Sequence, residues 1–143
     1  MNDKYFLDTN IFIYSFDSSN PKKQNTAHQL ISNALSGDIG CISYQVIQEF
    51  LNVATQKFAT PLMKRDCLTY ITNILEPLIE LLPSIELYKS ALDIKEGWLY
   101  SFYDSLIIAA ALRANCNILY TEDLQHEQKI REMVILNPFI PVP

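Results

Sequence analysis

The apolar residues fall into short blocks of two kinds, and their spacing predicts strands alternating with helices. Tyr5-Phe6-Leu7 is a compact apolar run that reads as a buried strand and stops on Asp8. Asn10 is a good helix N-cap, and Ile11 to Phe16 reads as a short helix behind it. Pro21 suits a first helical position, and Ala27, Leu30, Ile31, Ala34 and Leu35 recur at helical spacing as far as Ser36-Gly37. Gly40-Cys41-Ile42 is a brief strand. Ser43 then serves as the cap of a helix carrying Val46, Ile47, Phe50, Leu51 and Ala54. A helix from Pro61 to Leu75, a strand from Leu78 to Leu82 and a helix from Ser84-Ile85 to Gly97 follow.

Leu106 to Leu112 is apolar all round, which predicts a helix buried on most sides. Asn117 to Thr121 and Met133 to Leu136 read as the fourth and fifth strands, with a helix near Gln125 between them. Strands alternating with helices imply right-handed crossovers and a parallel sheet covered on both faces. The predicted class is α/β: a three-layer α/β/α sandwich around a central, mainly parallel five-stranded sheet, forming one domain over residues 1–143.

Composition sharpens this in two places. The chain has 143 residues, 49% of them apolar, and a chain of this size buries about 68–70% of its unfolded surface. The three cysteines, Cys41, Cys67 and Cys116, show no C-x-x-C pairing and lie in apolar surroundings, so they read as inert buried thiols of a reducing compartment. No apolar run reaches the length of a membrane span, and Met1-Asn2-Asp3-Lys4 leads straight into the first strand with no room for a signal peptide. A soluble, cytoplasmic protein is expected.

The net charge of −5 argues at first sight against a nucleic-acid partner. Its distribution changes that. Asp8 ends the first strand, Glu49 lies at the edge of an apolar helical stripe, Asp104 opens the buried helix, and Asp123 follows the fourth strand. Setting these four aside leaves twelve acids against eleven bases, so most of the acidity belongs to one group of residues. Each acid has an ordinary reading alone: a turn residue, a solvated helix residue, a capping box with Ser101, a loop acid. Together they fare differently, because Asp8 and Asp123 would share the carboxyl edge of one parallel sheet. Two bare carboxylates about 4 Å apart repel by roughly 4 kcal/mol at an effective dielectric of 20, so such a cluster needs protons or cations. Oxygen ligands without converging His or Cys favour Mg²⁺ or Mn²⁺ over zinc. His28 and His126 show no metal spacing and read as surface residues.

Asp8-Thr9-Asn10, Glu49 in a helix after Ser43, Asp104-Ser105-Leu106-Ile107 opening an Ala-rich helix, and Thr121-Glu122-Asp123 after a strand together resemble the PIN domain. The match runs from Phe6 to Asn137-Pro138-Phe139, and the length resembles VapC-type toxins of toxin–antitoxin pairs. The resemblance implies a Mg²⁺- or Mn²⁺-dependent endoribonuclease whose catalytic and metal-holding acids match Asp8, Glu49, Asp104 and Asp123. Thr9, Asn10, Ser105 and Thr121 match residues that shape such a site. It further implies an RNA substrate, a small antitoxin partner and a homodimer. One departure is that Leu124 to Gln128 contains no glycine, where many relatives carry one soon after the last acid.

Two other classes compete. A haloacid-dehalogenase-like phosphatase also begins with a strand-end Asp but needs a second Asp two residues on, where this chain has Asn10. A non-catalytic PIN-like module that binds RNA or protein would have no need of all four acids.

Overall fold

The structure, a computed structural model, describes residues 3–37 and 39–141. The expectation about a leader at Met1-Asn2 and the outer limits of the predicted domain lie outside the described residues. Strand β1 (Tyr5–Leu7) is followed by helices α1 (Thr9–Tyr14) and α2 (Pro21–Gly37), then by β2 (Gly40–Ser43) and α3 (Tyr44–Gln56). After α4 (Lys64–Tyr70) come β3 (Ile79–Leu81), α5 (Ile85–Trp98) and α6 (Phe102–Arg113). The chain closes with β4 (Ile118–Tyr120), β5 (Lys129–Ile130) and β6 (Met133–Leu136). The strands lie in the order β3-β2-β1-β4-β6-β5, parallel throughout except for the β5–β6 pair.

The three-layer α/β sandwich is as the hydrophobic pattern predicts, but the sheet has six strands and not five. The extra one, β5, is only Lys129-Ile130, turned back against Met133 through a left-handed Arg131 (φ 54°). Two residues are too few to show a period. The helix expected near Gln125 does not form. The backbone N–H of Gln125 goes to the Tyr100 hydroxyl, and that of Glu127 to Ile135 O, so the segment is spent on neighbours. Glu127 takes the left-handed conformation (φ 69°) there, in a stretch from Leu124 to Gln128 that contains no glycine.

Other boundaries shift for local reasons. Leu62 N–H bonds back to Ala54 O at the end of α3, so α4 starts at Lys64 and not Pro61. Past Tyr70 the chain widens into a π turn over Ile71–Leu75 and tightens into a 3₁₀ turn over Glu76–Leu78, which accommodates Pro77. Asp8, not Asn10, caps α1: its backbone is extended (φ −74°, ψ 166°) and its carboxylate accepts from Thr9 N at 2.7 Å.

The parallel strands are buried as such sheets require, with Tyr5, Phe6 and Leu7 all inside. Helix α6 is buried continuously from Ser105 to Ala111, as its unbroken apolar run demands. Helix α2 lies so close to the sheet that Gly40 has no room for a side chain. A Cβ there would sit 2.4 Å from Ala34 Cβ and 2.8 Å from Tyr5 Cε2. Gly40→Ala should therefore lose about 1–3 kcal/mol of stability through overpacking, read as a lower urea midpoint at unchanged slope.

Candidate active site at the carboxyl edge of the sheet

Strand β1 pairs with β2 on one side and β4 on the other, so the chain direction of travel across the sheet reverses at β1. Ligands of open α/β sheets bind at the carboxyl ends of the strands beside such a reversal. Asp8 stands there. Its backbone N–H continues the ladder to Tyr120 O at 3.0 Å, which places it beside Thr121 at the end of β4.

The Asp8 carboxylate is only 7% exposed. One oxygen accepts from Thr9 N at 2.7 Å, the other from the Thr121 hydroxyl at 2.8 Å. Burial pushes this carboxyl up to about 7, against the pull of those two bonds and with the charges of Glu49 and Asp123 adding to the rise. Glu49 reaches the same place from α3. Its Oε1 accepts from the Thr9 hydroxyl at 2.9 Å, so the reading of Glu49 as a free solvated residue fails. Burial also raises Glu49, opposed by hydrogen bonds from Thr9 and Gln45 and reinforced by the charges of Asp104 and Asp123.

Asp123 is exposed, and the Asn10 amide holds it at 3.0 Å. Its backbone N–H donates to the Thr121 hydroxyl at 3.1 Å. Because α1 begins at Thr9, Asn10 is freed from capping, and its amide spans from α1 to the acid after β4. Asp104 lies on the third residue of α6, half-buried, where Ser101 caps the helix by accepting from Asp104 N at 3.2 Å. No hydrogen bond ties up the Asp104 carboxylate among the described residues. Ser105 is fully buried, and its hydroxyl has no partner among the described residues, so it stands outside this network.

Two features escaped the sequence reading. Gln45 is buried one helical turn before Glu49 and donates to Tyr103 O at 3.1 Å, tying α3 to the start of α6. The four-residue spacing from Glu49 was the available signal. Glu122, beside Asp123, is neutralised by Lys23 and accepts from the Tyr14 hydroxyl at 2.6 Å. Lys23 is thus engaged with Glu122 and the Tyr14 hydroxyl. The histidines lie apart from the acids: His28 bonds Ser15 O at 2.7 Å, and His126 accepts from Asn137 N at 2.9 Å.

The donor set fits a hard divalent cation: it is all oxygen, and its central carboxylate is too desolvated to hold its charge easily alone. Among the described residues no three acid or imidazole groups are drawn close enough to enclose an ion unaided.

The sequence profile of the PIN domain family matches residues 5–131, and the chain belongs to this family. Its fold is similar to that of a toxin–antitoxin complex from Klebsiella pneumoniae (TM-score 0.62, 16% identity, covering 94% of this chain and 98% of that one). It is similar as well to Mycobacterium tuberculosis VapC20, a sarcin-ricin-loop-cleaving toxin (TM-score 0.63, 16% identity, 84% and 90% covered). A third likeness is to DNA-bound VapBC from Salmonella typhimurium (TM-score 0.63, 18% identity, 94% and 97% covered). No curated protein matches the chain by sequence. Among the described residues no helix is long and apolar enough to cross a membrane.

Asp8 makes stability depend on pH with a definite sign. Its carboxyl titrates near 3.8 when unfolded and at about 7 when folded, so between these values the folded state binds the extra proton. Stability from this group is complete below pH 4 and is lost as pH rises through 7. Without divalent metal, Asp8→Asn should gain on the wild type across pH 4 to 8, by at most about 4 kcal/mol. Urea midpoints in chelator at several pH values check this; parallel profiles would contradict it.

Proposed function

We propose that this chain is a metal-dependent endoribonuclease that hydrolyses RNA phosphodiester bonds, acting as one domain over residues 1–143, and that it is the toxin of a toxin–antitoxin pair. The observation that carries the reading is the buried Asp8 carboxylate at the reversal of the sheet, with the charges of Glu49, Asp104 and Asp123 directed toward the same place. Membership of the PIN family supports a nuclease, and the toxins of similar fold support the toxin role.

Asp8, Asp104, Asp123 and Glu49 are the residues that would hold Mg²⁺ or Mn²⁺. The bound ion supplies Lewis acidity for activating water and offsets negative charge at the phosphorus and the leaving oxygen. The chain's own residues do the positioning. Thr121 and the Thr9 N–H fix both oxygens of Asp8, and the Asn10 amide keeps Asp123 aimed at the site. Glu49, held by Thr9 with Gln45 beside it, is the residue to orient water or accept its proton. Tyr103, 67% exposed beside Asp104, offers a face on which an unpaired base can stack.

The test is cleavage of a total RNA pool with Mn²⁺, with new 5′ ends mapped. The wild type should cut and lose activity in chelator. Asp8→Asn should fall by at least about 10³-fold, a loss of roughly 4 kcal/mol of transition-state stabilisation, while remaining folded. Mn²⁺ should also raise the melting temperature of the wild type more than that of Asp8→Asn. Wild-type cleavage by Asp8→Asn refutes the site, and binding of RNA without cleavage points to a non-catalytic module.

Control of such an enzyme falls to a partner. Cavities of about 360, 490 and 330 Å³ adjoin around Phe16, which is 38% exposed and packs against Phe50, Phe58 and Tyr70. They give a small antitoxin apolar surface to cover, and a basic side chain of that partner, an Arg above all, would compete with metal for the acids. Co-expression with the product of the adjacent reading frame should yield an inactive complex, and Phe16→Glu should weaken it at least tenfold without loss of cleavage by the free protein. A protein that co-purifies with nothing and leaves growth unaffected would refute the toxin role.

A further inference from the structure

Cys41 and Cys116 lie far apart in sequence, yet their sulfurs are 3.5 Å apart in the core. Cys41 is on β2, in register with Phe6 of β1. Cys116 follows the end of α6, with its N–H on Ala111 O, just after a left-handed Asn115 (φ 60°). The next two residues, Asn117 and Ile118, both donate to Lys4 O at 2.8 and 3.2 Å, which fixes the approach of Cys116 to β1. The pair therefore sits toward the amino-terminal edge of the sheet, away from the acids at the carboxyl edge.

Three surroundings bear on what these thiols can do. A cavity of about 220 Å³ reaches Cys41, lined also by Ala34, Gly40, Pro77, Ile79 and Glu80. Glu80 is paired with Lys4, whose ammonium lies near the two sulfurs. The contact with Cys41, and then burial, push the Cys116 thiol far up. The cavity is lined by Cys41 and not by Cys116, so Cys41 is the sulfur that a small oxidant meets first.

We propose that Cys41 and Cys116 form a redox pair that a peroxide converts into an intrachain disulfide across the amino-terminal edge of the sheet. The Cys41 thiolate attacks one peroxide oxygen and the O–O bond breaks. The sulfur is oxidised to sulfenic acid, and the other oxygen leaves as hydroxide and takes up a proton as water. Cys116 sulfur then attacks Cys41 sulfur and the S–O bond breaks. The departing hydroxide leaves as water with the Cys116 proton. Bond formation closes the sulfurs from 3.5 Å to about 2.05 Å and joins residues 75 apart in sequence. The bridge ties β2 to the entry of β4 with β1 between them. It constrains the unfolded chain far more than the folded one, so it should raise the melting temperature.

The experiment uses the full chain, fully reduced, treated with a slight excess of hydrogen peroxide, quenched with catalase and alkylated in urea. Mass spectrometry should show loss of two of the three thiols and a linked Cys41–Cys116 peptide, restored by dithiothreitol, with Cys67 still alkylated. The melting temperature should rise by about 5–10 °C on oxidation. Cys67→Ser should behave as the wild type. Cys116→Ser should leave a Cys41 sulfenic acid that dimedone traps, with no rise in melting temperature. Three alkylatable thiols after treatment would overturn the proposal. So would oxidation confined to Cys67, or Cys41 driven to sulfinic acid with Cys116 intact, and these wild-type readouts need no variant to fold.

Discussion

The desolvated Asp8 carboxylate is the constraint that the rest of the site answers to. A carboxylate at a strand end normally keeps water on at least one oxygen. Here Thr9 N and the Thr121 hydroxyl take one oxygen each, and little solvent remains. Two hydrogen bonds lower the pKa of a carboxyl, yet burial overrides them and leaves it near 7. Neighbouring acids then make the problem worse. The cheapest physical remedy is a cation, and the same concentration of oxygen donors that makes the protein uncomfortable alone makes it receptive to one.

That position follows from topology. A parallel sheet directs all its strand ends one way, and β1 is where the order reverses, so β1 and β4 end side by side, with α1 leaving from one and a loop from the other. Asp8 and Asp123 come from those two ends. Glu49 and Asp104 arrive on helices, and here side-chain bonds do the joining: Thr9 fastens Glu49 to α1, and Gln45 fastens α3 to α6. Asn10 closes the set by reaching Asp123. Asp8, Glu49 and Asp123 are thus each held by a side chain from another element, and no single helix or loop carries the site.

Much of this was legible in the chain because charge interrupts apolar pattern at informative places. Asp8 ends a buried run, and Asp104 opens a helix that is apolar on every side, so neither sits where chance solvation would put it. The sequence could not show the partners. Asn10 reads equally well as a cap, and only the competition from Asp8, one extended residue earlier, decides the matter. Strand β5 and the π turn after α4 were invisible for a related reason. A two-residue strand and a one-residue widening of a helix are set by long-range contacts, not by periodicity. The same holds for Cys41 and Cys116, whose nearness depends on both flanking β1 at one end of the sheet.

The fold tolerates Asp8 because its neighbours outweigh it. Raising its carboxyl from 3.8 to about 7 corresponds to about 4 kcal/mol of destabilisation at neutral pH when no cation is bound. Phe6 and Leu7 immediately before Asp8, and Ile11 and Phe12 one turn after it, are all fully buried. At about 1.5–3 kcal/mol each, these four side chains contribute roughly 6–12 kcal/mol. Even discounted for a partly collapsed unfolded chain, that exceeds the electrostatic penalty. A margin of that size lets the folded protein keep a buried acid. The apolar residues on either side of Asp8 are therefore as much a part of the site as the acids, since without them the carboxylate would open to water and lose the property that makes it bind.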